Sequence, residues 1–265
     1  MPKNPGCWAN ALDDCRGPLT GEHRISVAVW AAPKGQPNNR KSRMKRRLTF
    51  EQWNDDEQTR VVRELSLANL TERILCDHHN GSSNDLDDEA GRFARAIEQW
   101  AATKKERDWL PKVTWNLRSY RVDGPLLERW FLKSAINGLF GETDLPIGSP
   151  HAKPGWPTAE LVEMVYGRRP IARDAGAGIF LLTAVGREHR LEDEQFALTY
   201  FDRNGTHWAG CVFSFRTLHF GVHFEARKMS PRTFDALPEL RGSEILQPFN
   251  AMDSGRTNVE VRLLW

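Results

Sequence analysis

Between positions 85 and 107 apolar residues recur at three-and-four spacing: Leu86, Ala90, Phe93, Ile97 and Trp100. That spacing places them on one face of a helix. Ser83, Asn84 and Asp85 suit its cap, Asp87, Asp88 and Glu89 its positive N-terminal end, and Lys104, Lys105 and Arg107 its other end. A second helix is predicted from Gly124-Pro125, proline standing at the first helical position, with Leu127, Trp130, Phe131, Ala135 and Leu139 on its buried face. A third and shorter one runs from Thr158 to Tyr166 and stops at Gly167. The last hundred residues have strand patterns instead: Gly178 to Val185, Phe196 to Phe201, His207 to Phe215, Leu218 to Ala226 and a final Val259 to Trp265. Asp202-Arg203-Asn204-Gly205 is a hairpin turn between two of them.

The first part of the chain is less periodic. Pro2, Pro5, Gly6, Gly17, Pro18 and Gly21 punctuate a loop-rich stretch that leads into a short strand. Ile25 to Trp30 fits a strand or a short helix. Thr59 to Leu75 has mixed spacing, read as a short helix followed by a strand into Cys76. Val113 to Val122 alternates as a strand. Residues 33–47 contain no acid and almost nothing apolar, so they form a surface loop whose Arg40, Lys41, Arg43, Lys45, Arg46 and Arg47 are suited to grip phosphates. A solvated linker is the plain alternative. The change of character after Trp109-Leu110-Pro111 suggests two domains, residues 1–110 and 111–265.

Composition narrows the class. A chain that is 40% hydrophobic and 27% charged is ordinary for a soluble globular protein. The net charge of +2 leaves any nucleic-acid footprint to local patches. No apolar run is long enough to span a membrane and the N-terminus has no apolar signal core, so a cytoplasmic location is expected. In a reducing compartment, clustered cysteines more often bind metal than form disulfides.

Three of the four cysteines fall near the other candidate chemistry. Cys76-x2-His79 has the short spacing with which one turn holds two ligands on an ion. With Cys7 and Cys15 it offers a three-cysteine, one-histidine zinc set, His78 being the alternative to His79. Cys211 lies in a strand pattern and reads as a small buried residue. Glu22 and Asn80 offer hard oxygen ligands suited to Mg²⁺. His23, with an ordinary pKa near 6.5, suits a general base that takes a proton from attacking water. His151 and His189 lack such partners in sequence. His207, His219 and His223 fall in the strand region, where His219 and His223 can share a face and so a second metal, a partly buried or surface role being the plainer reading.

Cys-Arg-Gly-Pro-Leu-Thr-Gly-Glu-His (15–23) and Ile-Leu-Cys-Asp-His-His-Asn (74–80) resemble the two halves of the zinc-containing branch of the HNH family of ββα-metal endonucleases. The resemblance covers residues 7 to about 100. It implies a structural zinc on Cys7, Cys15, Cys76 and His79, a catalytic Mg²⁺ or Mn²⁺ on Glu22 and Asn80, and His23 as the group that activates water. The family's central Asn, which orients the catalytic His, falls to Asn69, with Asn38 and Asn39 as alternatives. Ser83 stands where some relatives place a further acid or His, and Asp85 or Asp87 can substitute.

The expectation is thus an α+β chain: an N-terminal zinc-stapled ββα-metal domain and a C-terminal α+β domain with a largely antiparallel sheet. Its expected activity is metal-dependent hydrolysis of phosphodiesters, with DNA as the substrate and a homodimer if both strands of a duplex are cut. The rivals are an RNase on the same site and a catalytically inactive zinc scaffold that binds nucleic acid or protein.

Overall fold

The computed structural model describes residues 4–26, 29, 47–54, 59–66, 71–109, 118–171, 178–182, 196–215, 218–224, 247–248, 251–252 and 259–265. It is a mixed α+β fold in which most strand pairings are antiparallel.

The N-terminal segment makes a 3₁₀ turn, Trp8–Leu12, and then strand β1, Leu19–His23. β1 pairs antiparallel with β4, Thr71–Cys76, so that Leu19 faces Cys76 and His23 faces Thr71. The register slips between Thr20 and Glu22, a bulge at Gly21, which re-aims the strand end that carries Glu22 and His23. Cys76 opens a short helix α1, Asp77–Gly81, and the long helix α2, Asn84–Trp109, follows. As the periodicity predicts, Leu86, Ala90, Phe93 and Ile97 are buried.

Strand β5, Arg118–Asp123, runs into helix α3, Gly124–Leu139. The Asp123 side chain caps α3 by accepting from the Leu126 N–H at 2.9 Å, and proline occupies its first turn. α3 is the central element. It packs against α2 and against a seven-stranded sheet, and it is buried along almost its whole length. Phe131 centres an aromatic cluster, with ring centroids 5.1 Å from Trp130, 4.9 Å from Phe213 and 5.4 Å from Phe220. Helix α4, Ala159–Val165, is capped by Thr158.

The sheet is built from β2 (Arg47–Asn54), β3 (Thr59–Ser66), β6 (Gly178–Leu182), β7 (Phe196–Asp202), β8 (Trp208–Phe215), β9 (Leu218–His223) and β10 (Gln247–Pro248). Its order is β10-β6-β9-β8-β7-β2-β3, antiparallel except between β2 and β7. The β7–β8 turn has Asn204 and Gly205 at positive φ, 54° and 68°, as the turn signal requires. A smaller sheet orders β11 (Ala251–Met252), β12 (Val259–Leu264) and β5.

Two expectations change. The helix expected at the start of Thr59 to Leu75 is strand β3, because its backbone finds a full antiparallel partner in β2. That partner strand lies just past the basic run, and no element was predicted there. Of the strand expected over Val113 to Val122, residues 113–117 lie outside the described residues and the rest falls in strand β5. The division near residue 110 is also not a division of the core: β2 and β3 join the C-terminal strands, and one apolar cluster runs from Cys7 to Leu263. Trp8 donates to Asn137 at 2.9 Å, and Arg24 donates to the Gly138 carbonyl at 3.1 Å, fastening the N-terminal segment to α3.

Candidate metal centre and its catalytic surroundings

Cys7, Cys15, Cys76 and His79 converge, with their ligand atoms all within 4.8 Å of one another. Each residue is buried to less than 5% exposure. His79 Nδ1 lies 3.5 Å from Cys7 Sγ, 3.6 Å from Cys15 Sγ and 3.1 Å from Cys76 Sγ. Tetrahedral zinc, with its usual Zn–S and Zn–N bond lengths, separates sulfur from nitrogen by about 3.5 Å. The donor set therefore fits a metal ion such as zinc. The wide Cys7–Cys15 spacing is taken up by the 3₁₀ turn, and Asp13, at φ 61°, reverses the chain after it. Backbone bonds from Asp77 N–H to the Pro18 carbonyl (2.9 Å) and from His78 N–H to the Arg16 carbonyl (3.2 Å) join the two ligand-bearing segments.

The chemistry of the donors points the same way. Burial first, and then the neighbouring cysteines, push the Cys15 thiol far above its ordinary range; burial also raises Cys7. A divalent cation reverses that preference and deprotonates coordinating thiols. The Cys76 N–H points at Cys7 Sγ from 3.4 Å, a donor that favours the thiolate. Burial lowers His79, keeping its imidazole neutral as a ligand must be. Its Nε2 lies 2.8 Å from Asp14 Oδ1. Against its own burial, Asp14 is held below the usual carboxylate range by Arg168, with which it is ion-paired, and by His79. His78, the alternative ligand, is turned instead toward Asp14 Oδ2 at 3.6 Å.

The expected catalytic residues lie around this centre with partners of their own. Glu22 is buried at 5% exposure, and its Oε1 is 2.8 Å from Lys133 Nζ and 3.4 Å from Asn137 Nδ2. Burial raises its pKa while Lys133 opposes the rise. Lys133 Nζ also contacts Asp87 at 3.1 Å and 3.2 Å. His23, half-buried at the end of β1, has Nδ1 2.9 Å from Thr71 Oγ1. Burial lowers the His23 pKa, Asp87 opposes and Lys133 adds. Asn80 donates through Nδ2 to Thr20 Oγ1 at 3.0 Å and to the Gly21 carbonyl at 3.5 Å. The Ser83 hydroxyl donates to the Asn80 carbonyl at 2.8 Å, and its own carbonyl accepts from the Leu86 and Asp87 N–H groups at the start of α2.

Glu22 and Asn80 are thus engaged separately. Among the described residues, Glu22 belongs to no cluster of three or more His, Cys, Asp or Glu side chains close enough to share an ion. As arranged, the pair does not fit the Mg²⁺ or Mn²⁺ expected on it. Asn69, Asn38, Asn39 and the basic residues Arg40, Lys41, Arg43, Lys45 and Arg46 lie outside the described residues, and Arg47 begins β2. His207 and His219 bond to Thr206 and Ser214 at 2.8 Å each, and Cys211 is buried in β8. No helix among the described residues is long and apolar enough to cross a membrane.

Lys133, Asn137 and Asp14 were not singled out by sequence reasoning. A signal existed for Lys133, a cation inside the apolar stretch Trp130 to Leu139, and Asp14 adjoins a ligand cysteine. Comparison with known proteins finds no matching family model, no matching curated protein and no matching solved structure.

Proposed function

We propose that the chain is a zinc-stapled endonuclease of the ββα-metal type that hydrolyses phosphodiester bonds in DNA, with His23 as its general base. The supporting observation is the buried Cys₃His cluster, which fastens a strand–strand–helix unit whose β1 carries Glu22-His23 and whose α1 carries Asn80. Zinc there is structural: all four positions are filled by protein and none is left for substrate.

His23 suits its role. Its lowered pKa leaves the ring neutral at pH 7, the state a base needs. In the tautomer in which Nδ1–H donates to Thr71 Oγ1, Nε2 carries the lone pair that takes the proton from water. Thr71, the cross-strand neighbour, then orients the ring, the part that the resemblance gives to Asn69. Because Lys133 occupies Glu22, no step here passes through an ion on Glu22. A cleft of about 870 Å³ beside α4, lined by Lys153, Arg169 and Arg203 with His151, His207 and Glu160, includes none of Glu22, His23, Thr71 and Asn80 and carries no argument for the substrate.

A second reading is a catalytically silent zinc scaffold that binds nucleic acid, favoured by the engagement of Glu22 with Lys133. The test is hydrolysis of duplex DNA and of RNA by the full chain, beside Thr71→Val. Cleavage of DNA, slowed by Thr71→Val, is expected. Cleavage of RNA alone assigns the RNase reading, and binding without cleavage the scaffold.

A further inference from the structure

The cation paired with Glu22 comes from outside the zinc-bearing segments. Lys133 sits on α3, 1% exposed, with its ammonium 2.8 Å from Glu22 and 3.1 Å from Asp87. One residue thereby ties the end of β1, the first turns of α2 and the middle of α3. Buried carboxylates need a compensating charge or hydrogen bonds. Here Lys133 and the Asn137 amide supply both for Glu22.

We propose that Lys133 is the resident cation of this site. It is a positioning residue that holds Glu22 and Asp87 in place beside His23 and bars a divalent ion from Glu22. A metal ion bonded to Glu22 Oε1 at the usual ~2.1 Å would stand within roughly 5 Å of Nζ. Two positive centres that close, in a buried setting, repel strongly. The ammonium is held away from solvent, because Lys133 itself is buried and Asp87 holds it from across the site. Glu22 therefore orders the strand end through Lys133 instead of ligating an ion. The catalytic meaning of that arrangement rests on the nuclease reading above; the exclusion of the ion does not.

The test is Mn²⁺ binding to the full zinc-loaded chain, followed by electron paramagnetic resonance in the absence of substrate. Wild type and Glu22→Gln are expected to bind Mn²⁺ alike. Lys133→Met, at unchanged zinc content, is expected to gain a Mn²⁺ site roughly tenfold tighter than any in wild type. Lys133→Arg keeps the charge and is expected to gain none, and adding Glu22→Gln to Lys133→Met is expected to remove the new site. Loss of wild-type Mn²⁺ affinity on Glu22→Gln would overturn the inference, as would a folded Lys133→Met with no new site. If Lys133→Met does not fold, the wild-type and Glu22→Gln comparison decides alone. Absence of nuclease activity would remove the functional reading and leave the Mn²⁺ result standing.

Discussion

His79 is held from both sides of its ring: Nδ1 faces the three cysteine sulfurs, and Nε2 lies 2.8 Å from Asp14 Oδ1. A carboxylate behind a metal-binding imidazole fixes its tautomer and raises its strength as a ligand. Asp14→Ala is expected to weaken zinc binding by about 10- to 100-fold, read as zinc lost to a chelator of known affinity. Arg168, which pairs with Asp14 from the surface, is expected to matter less on substitution.

His23 sets a pH expectation. A base must be unprotonated, so activity falls as pH drops through its pKa. Burial lowers that pKa below the ordinary 6.5, Asp87 partly offsetting the effect. The acid limb of the rate profile is therefore expected below pH ~6.5. An acid limb above that value would assign it to another group. The profile of single-turnover cleavage against pH reads it directly.

Gly138 offers a stability test with a reversed sign. Replacing a helical glycine with alanine ordinarily stabilises by up to about 1 kcal/mol, and by less in the last turn, where Gly138 stands. Here a Cβ would fall on the Tyr200 hydroxyl, which is buried and donates to the Ala135 carbonyl at 3.1 Å. The ring cannot retreat, since it packs against Trp208 at 6.0 Å. Overpacking of this kind costs about 1–3 kcal/mol. Gly138→Ala is expected to lower the urea midpoint, a net loss of up to roughly 2 kcal/mol.

His223 links stability to pH. Burial drives its pKa down to about 3, against about 6.5 in the unfolded chain. Above pH ~6.5 it is neutral in both states. Below that, the unfolded chain takes up a proton that the folded chain refuses, so stability falls as pH falls toward 3. His223→Gln, compared at equal zinc content, is expected to flatten that decline.

How much of this was legible in the sequence depended on distance along the chain. α2 and α3 were readable because period, caps and proline are local to each. The Cys₃His set was readable because ligand types and a Cys-x2-His spacing are few. β2 and β3 were not, because their identity as strands rests on pairing with each other and, for β2, with β7 from the far end of the chain. Lys133 illustrates the same limit at the site. It stands on the side of the helix opposite the face read as buried, and only the packing of α3 against β1 and α2 turns it into the partner of Glu22 and Asp87. The mismatch between the expected ion and the observed ammonium was therefore invisible until the segments were assembled.

The measurement that bears most directly on the whole reading is plasmid cleavage by wild type and His23→Ala, with Mg²⁺ or Mn²⁺ supplied and zinc measured on the same preparations. One zinc per chain in both proteins is expected, with cleavage by wild type and a loss of about 10²- to 10⁴-fold in His23→Ala. Equal cleavage by the two proteins, or a folded wild type that contains no zinc, would contradict it.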